Sequence, residues 1–286
     1  MHQPRISASS YSNTAPLVWS FLYGKNHGKV ELIMDTAPAR SAELLMQDRV
    51  DVALVPVIAY QMTEGVRLVP DVCVGARERV RSVCLVTKGS DLKDVHSVSL
   101  DTSSRTSVAL TKIIFREFLG FEPEWKDEMP DIEKMLTDSD AALLIGDPAL
   151  VLSSPPYEGG VAAALGGRGG SLDSRYRTFD LAELWHHHTG FGFVFAMWMT
   201  RRESTSIDFA SARDEGLAHI DEIIANYETD IHLGRDEMRE YLTENISYSV
   251  DESMTHGVEL FFKLAVKNGL IAENMPLRFT GSELPA

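Results

Sequence analysis

Between Asp101 and Val108 the chain reads D-T-S-S-R-T-S-V, so Thr102, Ser103, Ser104, Thr106 and Ser107 set five hydroxyls around Arg105. A β-like run over residues 96–100 precedes them, and a helical apolar pattern from Val108 to Leu119 follows. The turn is therefore expected at a helix start, where about four backbone N–H groups lack partners and roughly half a positive charge accumulates. Such an end seats a carboxylate or a phosphate. One Ser or Thr suffices for capping. The surplus points to an anion-binding turn.

Three other polar groups invite the same question. Asn13 carries a donor and an acceptor on one amide, although an Asx turn ahead of Pro16 explains it as well. Ser82 reads either as a polar group in a site or as a small residue packed in a strand. Asp147, in Gly146-Asp147-Pro148, is by type a turn or capping aspartate and, if buried, a candidate base. His186, His187 and His188 are consecutive, so their side chains fan out about 100° apart where a two-histidine metal site wants an i,i+4 pair. They read as a solvated helix end. The run Gly166-Gly167-Arg168-Gly169-Gly170 has the glycines of a phosphate loop without its lysine or preceding strand. Chemistry is left to hydroxyls, amides, backbone donors and at most one acid. That suits a polar small molecule bearing carboxylates, with no metal and no organic cofactor expected.

These groups need a scaffold, and the apolar pattern supplies an α/β one. Strands are predicted at residues 5–9, 30–34, 51–56, 67–76, 81–87, 96–100 and 141–145, with helical patterns between the early ones. This rhythm implies parallel βαβ units with ligands at the carboxyl ends of the strands. The polar stretch Glu122 to Asp131 is read as a connection, and the glycine-rich residues 159–170 as a surface loop. Asp180 caps a helix ending near Gly190, and residues 191–199 form a strand buried on both sides. The remainder is helical, over about 207–227, 236–245 and 253–267. If the strands at 82–87 and 193–199 are the two crossings between lobes, residues 1–86 and 198–286 form one lobe and 87–197 the other. The loops at Ser10, Tyr11 and Asn13, at Pro56 and Ile58, at residues 102–107, and at Gly146 and Asp147 would then meet in a cleft.

The 286 residues are 44% hydrophobic and 24% charged, ordinary globular composition with room for a large core. A net charge of −15 disfavours nucleic acid and anionic membranes as partners and leaves a small molecule as the expected one. Cys73 and Cys84 make no disulfide framework. Met1 to Ile6 lacks an apolar leader, so a cytoplasmic location is expected.

Several segments together resemble one family: S-Y-S-N-T-A-P-L (10–17), D-V-A-L-V-P-V (51–57), V-R-S-V-C-L-V (80–86), the hydroxyl turn, A-A-L-L-I-G-D-P-A-L (141–150) and T-G-F-G-F-V-F-A-M-W (189–198). They resemble the chorismate dehydratases of the futalosine route to menaquinone, from residue 5 to about 200. The resemblance implies a two-lobed type II periplasmic-binding-protein-like fold with a helical C-terminal segment. It implies loss of water from chorismate without metal or cofactor. It carries Asn13 and Ser82 over as the polar pair at the departing hydroxyl and sets the turn 102–107 against a substrate carboxylate. The proton acceptor is left as the substrate's own carboxylate or Asp147. One departure is visible: T-G-L-P-F is usual in the family before the last crossing, where this chain has T-G-F-G-F (189–193). Two other readings compete. One is the sister enzyme acting on cyclic dehypoxanthine futalosine, and the other is a non-catalytic carboxylate-binding protein of the same fold.

Overall fold

Two five-stranded sheets organise the chain. The computed structural model describes residues 3–154, 176–231 and 233–281. In the first sheet β1 (Arg5–Ser9) lies parallel to β2 (Glu31–Asp35) and β3 (Val52–Pro56). In the second, β6 (Ser97–Asp101) lies parallel to β7 (Glu124–Glu128) and β8 (Ala141–Ile145). Each sheet is completed by one reversed strand and, beyond it, an edge strand running the same way as the parallel set. In the first, β10 (Phe193–Thr200) runs antiparallel to β3 and to β4 (Arg67–Ala76), in register Ala196↔Pro56 and Phe193↔Ala76. In the second, β5 (Val83–Thr87) runs antiparallel to β8 and to β9 (Arg177–Asp180). The orders β2-β1-β3-β10-β4 and β7-β6-β8-β5-β9 are the same plan written twice.

The crossings therefore lie outside the strands expected to carry them. All of β5 pairs in the second sheet and all of β10 in the first, so the chain passes between sheets at residues 77–82 and 190–192. Boundaries at 86/87 and 197/198 would cut both strands, and the ladder hydrogen bonds move them by several residues. Two strands are additional to the sequence expectation. β7, Glu-Trp-Lys-Asp-Glu, is a charged edge strand whose side chains advertise a loop, and β9 is a four-residue edge. The helix expected over 207–227 is two, α8 (Phe209–Ala218) and α9 (Ile220–Ile231). The glycine-rich loop at 159–170 lies outside the described residues.

Helices cover both sheets. α1 (Ala15–Leu22) starts with Pro16 in its first turn, after a 3-10 turn over Ser12–Thr14, and α2 (Pro38–Met46) starts on Pro38. α4 (Arg105–Ile113) runs into a π-helical turn, Ile114–Leu119, stopped by Gly120 in the left-handed region. The short α3 (Ala59–Met62), α5 (Ile132–Asp138) and α6 (Gly146–Leu152) follow strands directly. α7 (Leu181–Thr189) ends on His186–His188, where the ring of His188 stacks on Phe118. α10 (Arg235–Glu240) continues as a π-helical turn over Tyr241–Asn245, and α11 (Glu252–Lys267) is the last helix among the described residues.

An aromatic column ties the halves together. The Phe193 ring meets Trp185 of α7 at 5.4 Å and Phe261 of α11 at 5.1 Å, both edge to face. The second crossing is packed on the same helix. Gly192 donates its N–H to Ser253 Oγ at 3.1 Å, and a Cβ at Gly257 would stand 2.0 Å from the Gly192 carbonyl oxygen. The T-G-F-G-F departure thus faces α11, with Phe191 near His256. Substituting Gly257 by Ala forces this crossing off its helix. It should cost on the order of 3 kcal/mol in urea unfolding, the upper range of overpacking.

Candidate active site

The carboxyl ends of the parallel strands face each other across the gap between the sheets, and a narrow cavity opens there. Its polar lining is Ser9, Tyr11, Asn13, Thr14, Ser104 and Ser107, with the backbone of Gly146. Its apolar walls are Pro38, Leu54, Pro56, Val74, Val83, Ile145, Phe195 and Ala196. No Lys or Arg is in this lining. Three helices of eight or more residues begin at the cavity instead. Thr14 is the N-cap of α1, Pro38 the first residue of α2 and Ser104 the N-cap of α4. Positive potential is supplied by peptide dipoles and unpaired amides, as an anion site requires.

The hydroxyl turn divides its labour. Ser104 Oγ accepts the Ser107 N–H at 3.3 Å and lies 3.0 Å from Ser107 Oγ, so both capping hydroxyls also line the cavity. Thr106 is fully buried, and its Oγ1 accepts the Ile58 N–H at 3.3 Å from the other sheet. Ser103 is held by its own N–H, which donates to Asp101 Oδ1 at 2.9 Å, and its carbonyl accepts the Ala39 N–H at 3.4 Å. Thr102 and Arg105 are exposed and outside the lining, since the first residue of α4 faces solvent. Ser10 is exposed too, with its N–H given to the Asp35 carbonyl and its own carbonyl accepting Tyr227 Oη.

Asp147 works across the gap. Its carboxylate accepts the Ser12 N–H at 3.2 Å and the Ser12 hydroxyl at 2.5 Å, joining the α6 start to the 3-10 turn before α1. Burial pushes its carboxyl up and the two Ser12 bonds oppose that. Gly146 sits at φ +66°, and a Cβ there would meet the Tyr11 ring at 2.7 Å, so only glycine lets the ring close over the turn. The Gly146 N–H donates to the Ser82 carbonyl at 2.7 Å. Ser82 itself is fully buried, with Oγ 3.5 Å from the Val80 carbonyl, and stands behind the lining.

Two groups were missed in the sequence. Asp101 ends β6 almost fully buried, its Oδ2 without a partner among the described residues, and burial pushes its carboxyl up. The rule that ligands gather at strand carboxyl ends would have found it. Tyr241 is fully buried on the π-helical turn beyond α10, and nothing in its sequence surroundings marks it.

The titration of Asp147 gives a stability test. Its raised value means the folded protein keeps a proton that the unfolded chain loses nearer pH 4, so this group costs the fold stability as pH rises through that window. Asp147→Asn keeps an acceptor for Ser12 and removes the titration. Its stability relative to the parent should climb as pH rises above about 4, measured by urea unfolding.

Comparisons with known proteins agree with this architecture. A family model described as menaquinone biosynthesis matches residues 4–267. A chorismate dehydratase of Thermus thermophilus is 32% identical over 225 residues, covering 74% of this chain and 77% of the relative. Among solved structures, an Archaeoglobus fulgidus protein superposes with a TM-score of 0.67 at 17% identity, covering 94% of this chain and 98% of that one. A Candida albicans protein described as having the generic periplasmic binding protein fold gives 0.64 at 13% identity, covering 100% and 99%. The periplasmic aliphatic sulphonate binding protein of Escherichia coli gives 0.59 at 15%, covering 100% and 96%. The fold is that of the periplasmic binding proteins, and the chain belongs to the menaquinone biosynthesis family.

Proposed function

We propose that this chain is a chorismate dehydratase, a hydro-lyase that removes water from chorismate to give 3-[(1-carboxyvinyl)oxy]benzoate on the futalosine route to menaquinone. The observation that carries the reading is identity to a chorismate dehydratase across three quarters of the chain. The cavity agrees with it: hydroxyls, one amide and three helix starts suit a small dicarboxylate without any cationic side chain. The reading carries a cytoplasmic location with it. No helix among the described residues is long and apolar enough to cross a membrane.

The reaction needs little force because expelling water aromatises the ring. The bond to the departing hydroxyl breaks with its electron pair, and the electrons of one ring C–H bond become the new π bond. The proton passes to the substrate's enolpyruvyl carboxylate and on to the departing hydroxide, which leaves as water. Asn13 and Ser82 donate to that oxygen as charge builds on it. Ser82 reaches it by turning from the Val80 carbonyl, and a 3.5 Å contact is at the limit of a hydrogen bond, so little is lost. Asp147 is already committed to Ser12 by both oxygens, which favours the substrate as its own base. Ser104 and Ser107, with the amides behind them, hold a ring or side-chain carboxylate. Tyr11, Pro56 and Gly146 shape the walls. Thr106, Ile58 and Ser103 keep the two sides together, and Ser10, Thr102 and Arg105 bear on the ligand only from the rim.

Incubation with chorismate should abolish its diene absorbance. Unchanged chorismate that is nonetheless bound tightly would make this a binding protein, and turnover of the cyclic futalosine derivative alone would make it the sister enzyme. Asn13→Ala and Ser82→Ala should each lower kcat by about one to three orders of magnitude with little change in KM. Ser107→Ala should raise KM with kcat nearly intact, because a clamp holds ground and transition state alike.

A further inference from the structure

The stretch from α10 to Tyr248 is fastened at one end to the first crossing and at the other to the end of β4. At one end Glu237 forms an ion pair with Arg81, the buried residue next to Ser82, whose guanidinium also donates to Ser154 Oγ at 2.7 Å. At the other end Ser247 bridges Gly75, with N–H to carbonyl distances of 2.8 and 3.0 Å, and the Tyr248 carbonyl accepts the Cys73 N–H at 3.2 Å. Tyr241 sits between these fastenings, one helical turn after Glu237. Its ring is fully buried, and its hydroxyl has no hydrogen-bond partner among the described residues. The turn that carries it is π-helical, a local widening that recurs at functional sites.

A buried hydroxyl left unpaired is costly and asks for an explanation. Here its polar neighbours are Ser82 and Asn13, whose side chains act on the phenol, while the Asp147 charge also reaches it. Ser82 Oγ is itself only loosely held, at 3.5 Å from the Val80 carbonyl. Asn13 lines the cavity, and its side-chain oxygen takes one long bond from Thr14 at 3.4 Å. Three polar side chains thus converge from three parts of the chain, the Tyr241 hydroxyl unpaired and the Ser82 hydroxyl and Asn13 oxygen in long hydrogen bonds among the described residues.

We propose that Tyr241 is a positioning residue for dehydration, its hydroxyl bonding Ser82 and Asn13 once substrate is in place and aiming both donors at the departing oxygen. This rests on the dehydratase reading. Burial pushes the phenol well up, with the Asp147 charge adding and the two neighbours opposing, so it serves as a neutral donor and never as the base.

The test compares Tyr241→Phe with Tyr248→Phe in the full chain. Tyr248 is a second buried tyrosine whose hydroxyl has no partner among the described residues, next to Cys73, and its Phe variant controls for burial alone. Tyr241→Phe should lower kcat for chorismate about 10- to 100-fold, keep KM within about threefold and leave Tm equal to or above the parent. Tyr248→Phe should turn over like the parent. A kcat for Tyr241→Phe within about twofold of the parent overturns the proposal, as does an equal loss in both variants or a loss that tracks a fall in Tm. A parent enzyme that leaves chorismate unchanged overturns the dehydratase reading and this one with it, an outcome distinct from an active parent whose Phe variant matches it.

Discussion

Asp180 is the interaction on which the cleft depends. Its single carboxylate accepts the N–H groups of Val80 and Arg81 on the first crossing and of Ala182 and Glu183 at the start of α7. Burial pushes its carboxyl up, and the amides of Arg81, Glu183 and Val80, with the Arg79 charge, oppose that. Through it the crossing is bound to the helix that leads to the second crossing. Arg81 is held at φ +63°, a strained backbone for a non-glycine residue that persists where surrounding contacts over-determine it. Ser82 follows directly, so the position of one candidate donor is set by the bonding of a carboxylate on another element.

The site solves an electrostatic problem. A chain with net charge −15 repels a dianion at long range, and Asp101 and Asp147 lie close to Tyr11 at the cavity. Charge-neutral donors answer this locally. Helix starts and hydroxyls give directional bonds without carrying counter-charges that Asp101 and Asp147 would claim for themselves. Burial pushes both carboxyls up.

Much of this was legible because it rests on local rules. The hydroxyl turn is a helix N-terminus, Ser104 is its cap, and Asp180 caps α7, all readable from residue type and spacing. The parallel strands and their carboxyl-end loops followed from apolar periodicity. The exact crossings did not, because β5 and β10 are equally apolar whichever sheet they join, and only long-range pairing decides. β7 stayed hidden because an edge strand of Glu, Trp, Lys, Asp and Glu carries the polarity of a loop. Tyr241 is 228 residues from Asn13 in a helical segment, and no local pattern announces a phenol delivered from that distance. Thr106 was readable as polar but not as a cross-cleft strut, since its partner is the backbone of Ile58.

The bonds that shape the cavity are also its fastenings. Ser12 to Asp147, Ile58 to Thr106 and Ala39 to Ser103 all run from one sheet's side to the other. Each is worth about 1 kcal/mol net, so together they bias the molecule towards the shut form before anything has bound. A ligand that must break them to enter meets only the fraction of molecules in which they are open. In such a design selectivity is exercised twice, once by the fit of the closed chamber and once by how quickly the door is released.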